Sequence, residues 1–391
     1  MTLAVADSNT LGPTTSRAIV RLARAGEPDN TARCELFARV SMETDIILSV
    51  RRDPDFDALY RLQSDEWVSV VVELDGVVEG TGTIIVRDGY IEGRQCRVGY
   101  LGDLRLSPRL TGRFLLERFY GALLQEVRER YGCELFLTTV IASNEHALRA
   151  LTRETLRSRR SGRPQYALVG DFDIRSLHLL LPRRAERSPY AVRRATPSDI
   201  PSLSRFLDAD ARSRPFGFVF SEQKFRRRLR DWPGLSIDAF YLAEDERGEL
   251  GGCIALWDAS AVKRMVVCAY RGPMRRARFA YDMVARLLGM PHLPTPGSAF
   301  RYKYVTHQAI PSGDPRILRA LLMQAYRDAR AGQGLHFLSV CAPHSSPLEP
   351  AFRGFQATNL RSRLYVVSLP DVDAACVTRA AAWPGFEMAL V

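Results

Sequence analysis

Lysine is almost missing from this 391-residue chain: only Lys224, Lys263 and Lys303 occur, so the net charge of +11 rests on arginine. Such a skew is what GC-rich coding produces, whatever the function. The arginines are dispersed apart from Lys224-Phe-Arg-Arg-Arg-Leu-Arg230, which reads as a helix face turned to solvent or to a neighbouring domain. Nucleic acid is therefore not an expected partner. Long apolar runs are missing too, and the N-terminus lacks the charged-then-apolar layout of a secretory signal. No membrane partner is expected, and the cytoplasm is the expected location. The seven cysteines are scattered and include no C-x-x-C, which fits reduced thiols. Cys133, Cys253 and Cys268 lie in apolar, strand-like runs and are expected to be buried. There is no Gly-x-Ser-x-Gly, no Walker loop and no His-Glu-x-x-His. The histidines are dispersed, and His336 and His344 lack partners at metal-ligand spacing, so no metal is expected. Glu79-Gly-Thr-Gly82 sits inside a hairpin strand and opens no helix; its glycines serve a bulge or a close backbone approach.

The stretch from Val98 to Asn144 carries the most information. Val98-Gly-Tyr-Leu-Gly-Asp-Leu-Arg-Leu106 has strand composition and stops at Ser107-Pro108, because proline lacks a donor and restricts its neighbour. Arg109-Leu-Thr-Gly-Arg113 follows as a short basic turn. A helix is predicted over Phe114 to Arg130, with Phe114, Leu115, Leu116, Phe119, Leu123, Leu124 and Val127 at helical spacing. A Gly-bearing turn entering a helix puts free N–H groups at the positive end of the helix dipole, where a phosphate can dock. Cys133 to Ala142 reads as the next strand, and Asn144 as the cap of the helix after it.

This order resembles the cofactor-binding motif of the GCN5-related N-acetyltransferase (GNAT) superfamily, whose loop pattern is Gln/Arg-x-x-Gly-x-Gly/Ala. Arg109 and Gly112 match, whereas Phe114 stands where a small residue is usual; Asn144 and Ala147 match the family's Asn-x-x-Ala helix start. The resemblance implies acetyl-CoA or another acyl-CoA as co-substrate, lying where two central strands splay. Leu104, Arg105 and Leu106 would then pair with the pantetheine arm. Leu110, Thr111, Gly112, Arg113 and Phe114, with Arg109, would wrap the diphosphate, and Asn144 would complete the cofactor site. An acceptor amine must be neutral to attack a thioester, so a base or a water chain is needed. Asp103 is the first carboxylate candidate and Glu73 the second, against the alternative of a merely salt-bridged Asp103. Alternation puts Asp103 and Leu104 on opposite faces of the strand without saying which face meets the cleft. The family tyrosine that protonates the leaving thiolate falls on Leu151 here; Tyr166 or Tyr100 would have to substitute.

Apolar residues make up 46% and charged residues 25%, ordinary for a soluble globular protein, and the length exceeds one core. Residues 181–189 form a polar, Pro-bounded connector, after which Tyr190 to Leu203 reads as a second domain start: strand, turn, and a helix capped by Ser198 or Asp199. Ala18 to Ala23 and Glu27-Pro-Asp-Asn30 open the first half in the same way. Hairpins are predicted at Trp67–Val86 and again at Phe240–Trp257. Phe300 to Ile310 corresponds to the strand before the phosphate turn, but the turn itself is Pro311-Ser-Gly-Asp-Pro315. Leu335 to Val340 and Leu364 to Leu369 complete the second sheet. Residues 261–299 fit the pattern poorly: Met274 to Arg278 and Met283 to Leu288 read as a helical insertion, followed by Pro-rich Met290 to Pro296, either covering an acceptor pocket or packing between the domains.

The expected architecture is thus α/β: two tandem GNAT-like domains, 1–182 and 183–391, each a mixed, mostly antiparallel central sheet flanked by helices. The first is expected to bind acyl-CoA; the second has a degenerate cofactor loop. The expected function is acyl-CoA-dependent N-acyl transfer to a primary amine. Two alternatives stand beside it: a non-catalytic acyl-CoA-binding or interaction module, and an aminoacyl-tRNA-dependent transferase like the Fem peptidyltransferases. The acceptor and the oligomeric state are open.

Overall fold

The computed structural model describes residues 18–42, 45–110, 115–152, 163–332 and 334–391 and, of 115–119, the backbone alone. The first half runs β1 (Ala18–Leu22), α1 (Asp29–Arg39), β2 (Ile46–Arg51), α2 (Ala58–Arg61), β3 (Glu66–Leu74), β4 (Val77–Ile91) and β5 (Arg94–Leu106). It continues through α3 (Leu115–Tyr131), β6 (Leu135–Ile141), α4 (Glu145–Thr152) and β7 (Gln165–His178). After the 181–189 connector come β8 (Ala191–Arg194), α5 (Ile200–Arg212), β9 (Gly217–Phe218), α6 (Glu222–Asp231), β10 (Phe240–Glu244) and β11 (Leu250–Trp257). The remainder is β12 (Arg264–Tyr270), α7 (Gly272–Leu288), β13 (Tyr302–Ala309), α8 (Pro315–Ala331), β14 (Phe337–Pro343), β15 (Ala357–Ser368) and α9 (Ala375–Thr378).

The halves repeat one plan. The β3–β4 and β10–β11 hairpins correspond, as do the β5–α3–β6 and β13–α8–β14 units. β5–β6 and β13–β14 pair in parallel; every other strand pair of the main sheet among the described residues is antiparallel. In α3, Tyr120, Leu123, Leu124 and Val127 are buried at i, i+3, i+4 and i+7, and α8 buries Ile317, Leu318, Leu321, Leu322 and Ala325 in the same way. Full burial of one such aliphatic side chain stabilises by roughly 1.5–3 kcal/mol, so this stripe fixes which helix face meets the sheet.

The halves do not keep their own last strands. In the continuous sheet the order is β6-β15-β7-β14, so the first half's β7 lies between two strands of the second, and β15 lies between two of the first. β7 pairs with β15 along Ala357–Ser368 and with β14 along Phe337–Pro343. Neither half separated at the connector would retain these partners, and each would expose an unpaired edge.

The expected helical insertion is α7, and ahead of it β12 pairs with β2 of the first half in a separate two-stranded sheet. One local expectation changes. Cys268, on β12, is exposed, whereas Cys133 and Cys253 are buried; a two-stranded ribbon has a face that nothing covers. The N-cap residue of α5 is Asp199, one of the two expected, and its carboxylate forms a reciprocal capping box with Thr196 around the 3-10 turn Pro197–Asp199.

Gly217 shows how tightly the chain packs where β9 leaves α5 to reach the first half. It pairs with Tyr90 of β4, and a Cβ built on it would lie 1.9 Å from the Ala211 carbonyl oxygen. Backbone cannot step aside as a side-chain tip can. Gly217→Ala is expected to destabilise by at least the roughly 1–3 kcal/mol of an overpacked core, read as a lowered midpoint in urea; an unchanged midpoint would show that the contact relaxes.

Candidate functional site

β5 and β6 run together only from Gly99 to Leu101, opposite Phe136 to Thr138, and the Thr138 hydroxyl closes the last shared step by donating to the Leu101 carbonyl at 2.9 Å. Beyond that point β5 stays with β4 and β6 stays with β15. The edge of β5 from Gly102 to Leu106 therefore faces a wedge with no strand across it among the described residues. Tyr100 sits at the apex, its hydroxyl 3.0 Å from the hydroxyl of Thr139 on β6.

A β-bulge decides what faces the wedge. Thr83 opposes Gly102 and Thr81 opposes Arg105, so Asp103 and Leu104 together stand against Gly82. Asp103 takes φ 54°, a left-handed conformation uncommon for a residue other than glycine. The bulge turns the Asp103 carboxylate toward α1 and α2 and leaves Leu104 beside Gly82 and Tyr120 on the α3 side. A side chain at Gly80 or Gly82 would force a neighbour to move: a Cβ would meet Leu106 Cδ2 at 2.7 Å and the Tyr120 hydroxyl at 2.8 Å.

Asp103 Oδ2 accepts from Arg52 Nη2 at 2.6 Å and from the Tyr60 hydroxyl at 2.5 Å, while Oδ1 has no protein partner among the described residues. Tyr60 in turn accepts from Thr83, whose hydroxyl contacts that of Ser69. Arg52 is buried against the rings of Phe37, Phe56 and Tyr60. Burial, with the Asp103 charge adding to it, raises the Tyr60 phenol well above its ordinary range, so it stays a donor.

The remaining candidates are spread out. Glu73 belongs to a different network, paired with Arg21, which also holds Asp29 at 2.6 Å. Arg105 points away from the wedge, donating to the Phe37 and Val40 carbonyls at the end of α1 and lying 4.2 Å over the Phe37 ring; only its backbone is left for a ligand. Arg109 lies at the turn, with its guanidinium 2.6 Å from Glu79. Burial alone would raise the Glu79 carboxyl, yet the bonds from Ser107 and Arg109 hold it below its usual range. The Leu110 side chain is buried in the cluster that holds Val20, Val72 and Leu74. Thr111, Gly112, Arg113 and Phe114 lie outside the described residues. Asn144 caps α4, accepting from the Ala147 N–H at 3.1 Å. Tyr166 packs beside Leu151 and Leu148, on the α3–α4 side of the sheet. Asp103 and Tyr166 thus occupy opposite faces, and an opening between two strands is accessible from both.

The second half repeats the wedge with other chemistry. β13 and β14 pair only from Tyr302 to Tyr304, and His307 takes φ 50° where β13 bulges against β11. Its Nε2 lies 3.0 Å from Arg228, and its N–H donates to Glu387 at 3.0 Å. Burial, then the Arg228 charge, lowers the His307 pKa well below the ordinary value, so the ring is neutral. Residues 383–388 lie along this wedge and border a cavity of about 520 Å³. Gln308 Oε1 and Ser346 Oγ, both bordering it, are buried acceptors without partners. Phe386 carries the same segment to within 6.1 Å of the Tyr100 ring, measured between centroids. Burial pushes the Glu387 carboxyl up to about 7, and burial with the Arg52 charge pushes the Lys263 ammonium down to about 7. Sequence reasoning missed Arg52, Tyr60, Lys263 and Glu387. A lysine or glutamate in an otherwise apolar stretch was the available signal, and it has no partner until the chain folds. At the start of α8, Asp314 accepts from the Arg316 N–H at 2.8 Å and Pro315 contributes no donor, so a carboxylate already occupies that helix end.

Two parted parallel strand pairs, each joined through a helix and each on one half of a shared sheet, decide the architecture. The chain has a tandem GNAT-like fold. Yeast (Saccharomyces cerevisiae) N-myristoyltransferase with bound myristoyl-CoA has this fold and superposes with a TM-score of 0.54 at 11% identity, covering 92% of this chain and 84% of that one. The same enzyme with myristoyl-CoA and inhibitors gives 0.54 at 12% identity, covering 98% and 86%. A GCN5-related N-acetyltransferase from Sphaerobacter thermophilus aligns at 0.46 and 16% identity, covering 78% and 82%. No protein-family model and no curated protein matches the sequence. In this tandem GNAT-like fold no group of three His, Cys, Asp or Glu suited to a metal occurs among the described residues.

Proposed function

We propose that this protein is an acyl-CoA-dependent N-acyltransferase whose first half binds the acyl-CoA and whose acceptor is a primary amine of a small molecule or peptide. One observation carries the reading: the free backbone edge of Gly102–Leu106 opens from the apex at Tyr100 and Thr139. A pantetheine arm needs such an edge, and the Arg109–Gly112 sequence ahead of α3 would supply the diphosphate site. The likeness to a protein bound to myristoyl-CoA supports the same ligand class here. In the reaction the neutral amine attacks the thioester carbon, the C–N bond forms and the C–S bond breaks. Asp103 Oδ1 takes the amine proton, directly or through water, and a tyrosine returns one to the thiolate. Tyr166 and Tyr100 are both held protonated by burial. The partnerless acceptors of the 520 Å³ cavity suit a hydrogen-bond donor such as the amine substrate.

Because Pro315 withholds a donor and the Asp314 carboxylate caps α8, this helix end is not expected to hold a diphosphate, and one acyl-CoA is expected per full-length chain. Calorimetric titration with acetyl-CoA and with myristoyl-CoA tests this. Asp314→Ala is expected to leave stoichiometry and affinity unchanged. Two sites would overturn the assignment to the first half, and no binding of either ligand would overturn the reading. A second reading, a binding module without turnover, is favoured by the commitment of Asp103 Oδ2 to Arg52 and Tyr60. Binding of acyl-CoA with no transfer to any amine would select it.

A further inference from the structure

The outer face of α7 is apolar and meets nothing among the described residues. Phe279, Met283 and Leu287 follow each other at steps of four residues and are 72%, 69% and 85% exposed. They stand opposite the inward face, where Ala285 is buried and the Tyr281 hydroxyl donates to the Pro291 carbonyl at 3.0 Å. Scattered apolar residues on a surface need no explanation, but a continuous ridge along one helix does.

The charges around this ridge have one sign. Arg275, Arg276 and Arg286 are exposed and bond nothing among the described residues, whereas the one acid of the helix, Asp282, is held inward between Arg278 and His292. An apolar stripe bordered by unpaired arginines is the pattern of a helix that lies in the plane of a membrane interface, its apolar side among the acyl chains and its cations among anionic headgroups. A second copy docked face to face would set these arginines against their own kind with no acid to receive them. No helix among the described residues is long and apolar enough to cross a membrane, so the contact is one of lying on the surface. The expectation of no membrane partner rests on the lack of long apolar runs in the sequence, and a helix lying on a lipid surface would overturn it.

We propose that α7 docks this protein onto an anionic lipid surface through Phe279, Met283 and Leu287, with Arg275, Arg276 and Arg286 supplying the attraction. The net charge of +11 favours the same approach. The docking is independent of acyl transfer and needs no cofactor.

Cosedimentation of the full chain with phosphatidylcholine vesicles, with and without phosphatidylglycerol, tests it. Binding is expected with the anionic vesicles and is expected to fall about tenfold or more without phosphatidylglycerol or at high salt. The double variant Phe279→Ser/Leu287→Ser is expected to lose binding, with unchanged circular dichroism and melting temperature because both side chains are exposed. Arg275→Glu/Arg276→Glu is expected to weaken it while leaving the apolar ridge in place. Absence of binding to anionic vesicles, or binding that survives the Phe279/Leu287 change, overturns the proposal. A dimer in solution that dissociates on the same change would assign the ridge to a second copy and overturn it equally.

Discussion

Asp103→Asn is expected to lower acyl-transfer turnover by about a hundredfold or more, the loss typical of a missing general base. Affinity for acyl-CoA is expected to hold, because the carboxylate projects toward Arg52 and Tyr60 and leaves the backbone edge of Gly102–Leu106 untouched. The deficit should shrink as pH rises, since more of the acceptor amine is then neutral without help. Glu73→Gln is the comparison: it also loses an arginine partner, but in the Arg21 network away from the wedge, and a milder effect is expected. A wild-type rate for Asp103→Asn across the pH range would exclude the proton-accepting role and favour a chain of waters. A rate loss that is independent of pH would make Asp103 a structural partner of Arg52.

Arg52→Met is expected to destabilise the protein by roughly 3–5 kcal/mol, because the change strands a half-buried carboxylate without its cation. Arg52 is fully enclosed and lies 2.6 Å from Asp103. Arg52→Met combined with Asp103→Leu should recover most of the loss, since two apolar side chains leave no charge unpaired. Urea unfolding of the two single variants and the double variant measures the coupling directly. If the two single losses simply add in the double variant, the ion pair does not hold this region together. Activity separates the roles further: the double variant should fold yet remain slow, because it restores packing and not the carboxylate.

Much of the first half was legible because its signals are local. The strand ending at Ser107-Pro108, the helix with Leu123, Leu124 and Val127 on one face, and the cap at Asn144 each depend on a few neighbouring residues. The second-half hairpin was equally readable. The pairing of β12 with β2 was not legible, because a strand-like run does not name its partner in the other half. Cys268 was misplaced for the same reason: a strand-like run does not reveal whether anything covers its second face. The bulge at Asp103 was invisible as well. Alternation correctly separated Asp103 from Leu104, but the face each one takes depends on the extra residue opposite Gly82.

By itself, the sequence determined the α/β class, the repeat of the hairpin and strand–helix–strand plan, and the acidic end of the second-half turn. These follow from periodicity, proline and glycine placement and the charge of Asp314, none of which needs a distant partner. Only the tertiary structure decided that β7 and β15 change places, that Asp103 meets an arginine 51 residues earlier, and that Lys263, Glu387 and His307 gather beside a second wedge. The physical reason is common to all three. Strand register turns a side chain to one face or the other, and burial makes a charge depend on whichever partner the fold brings within reach.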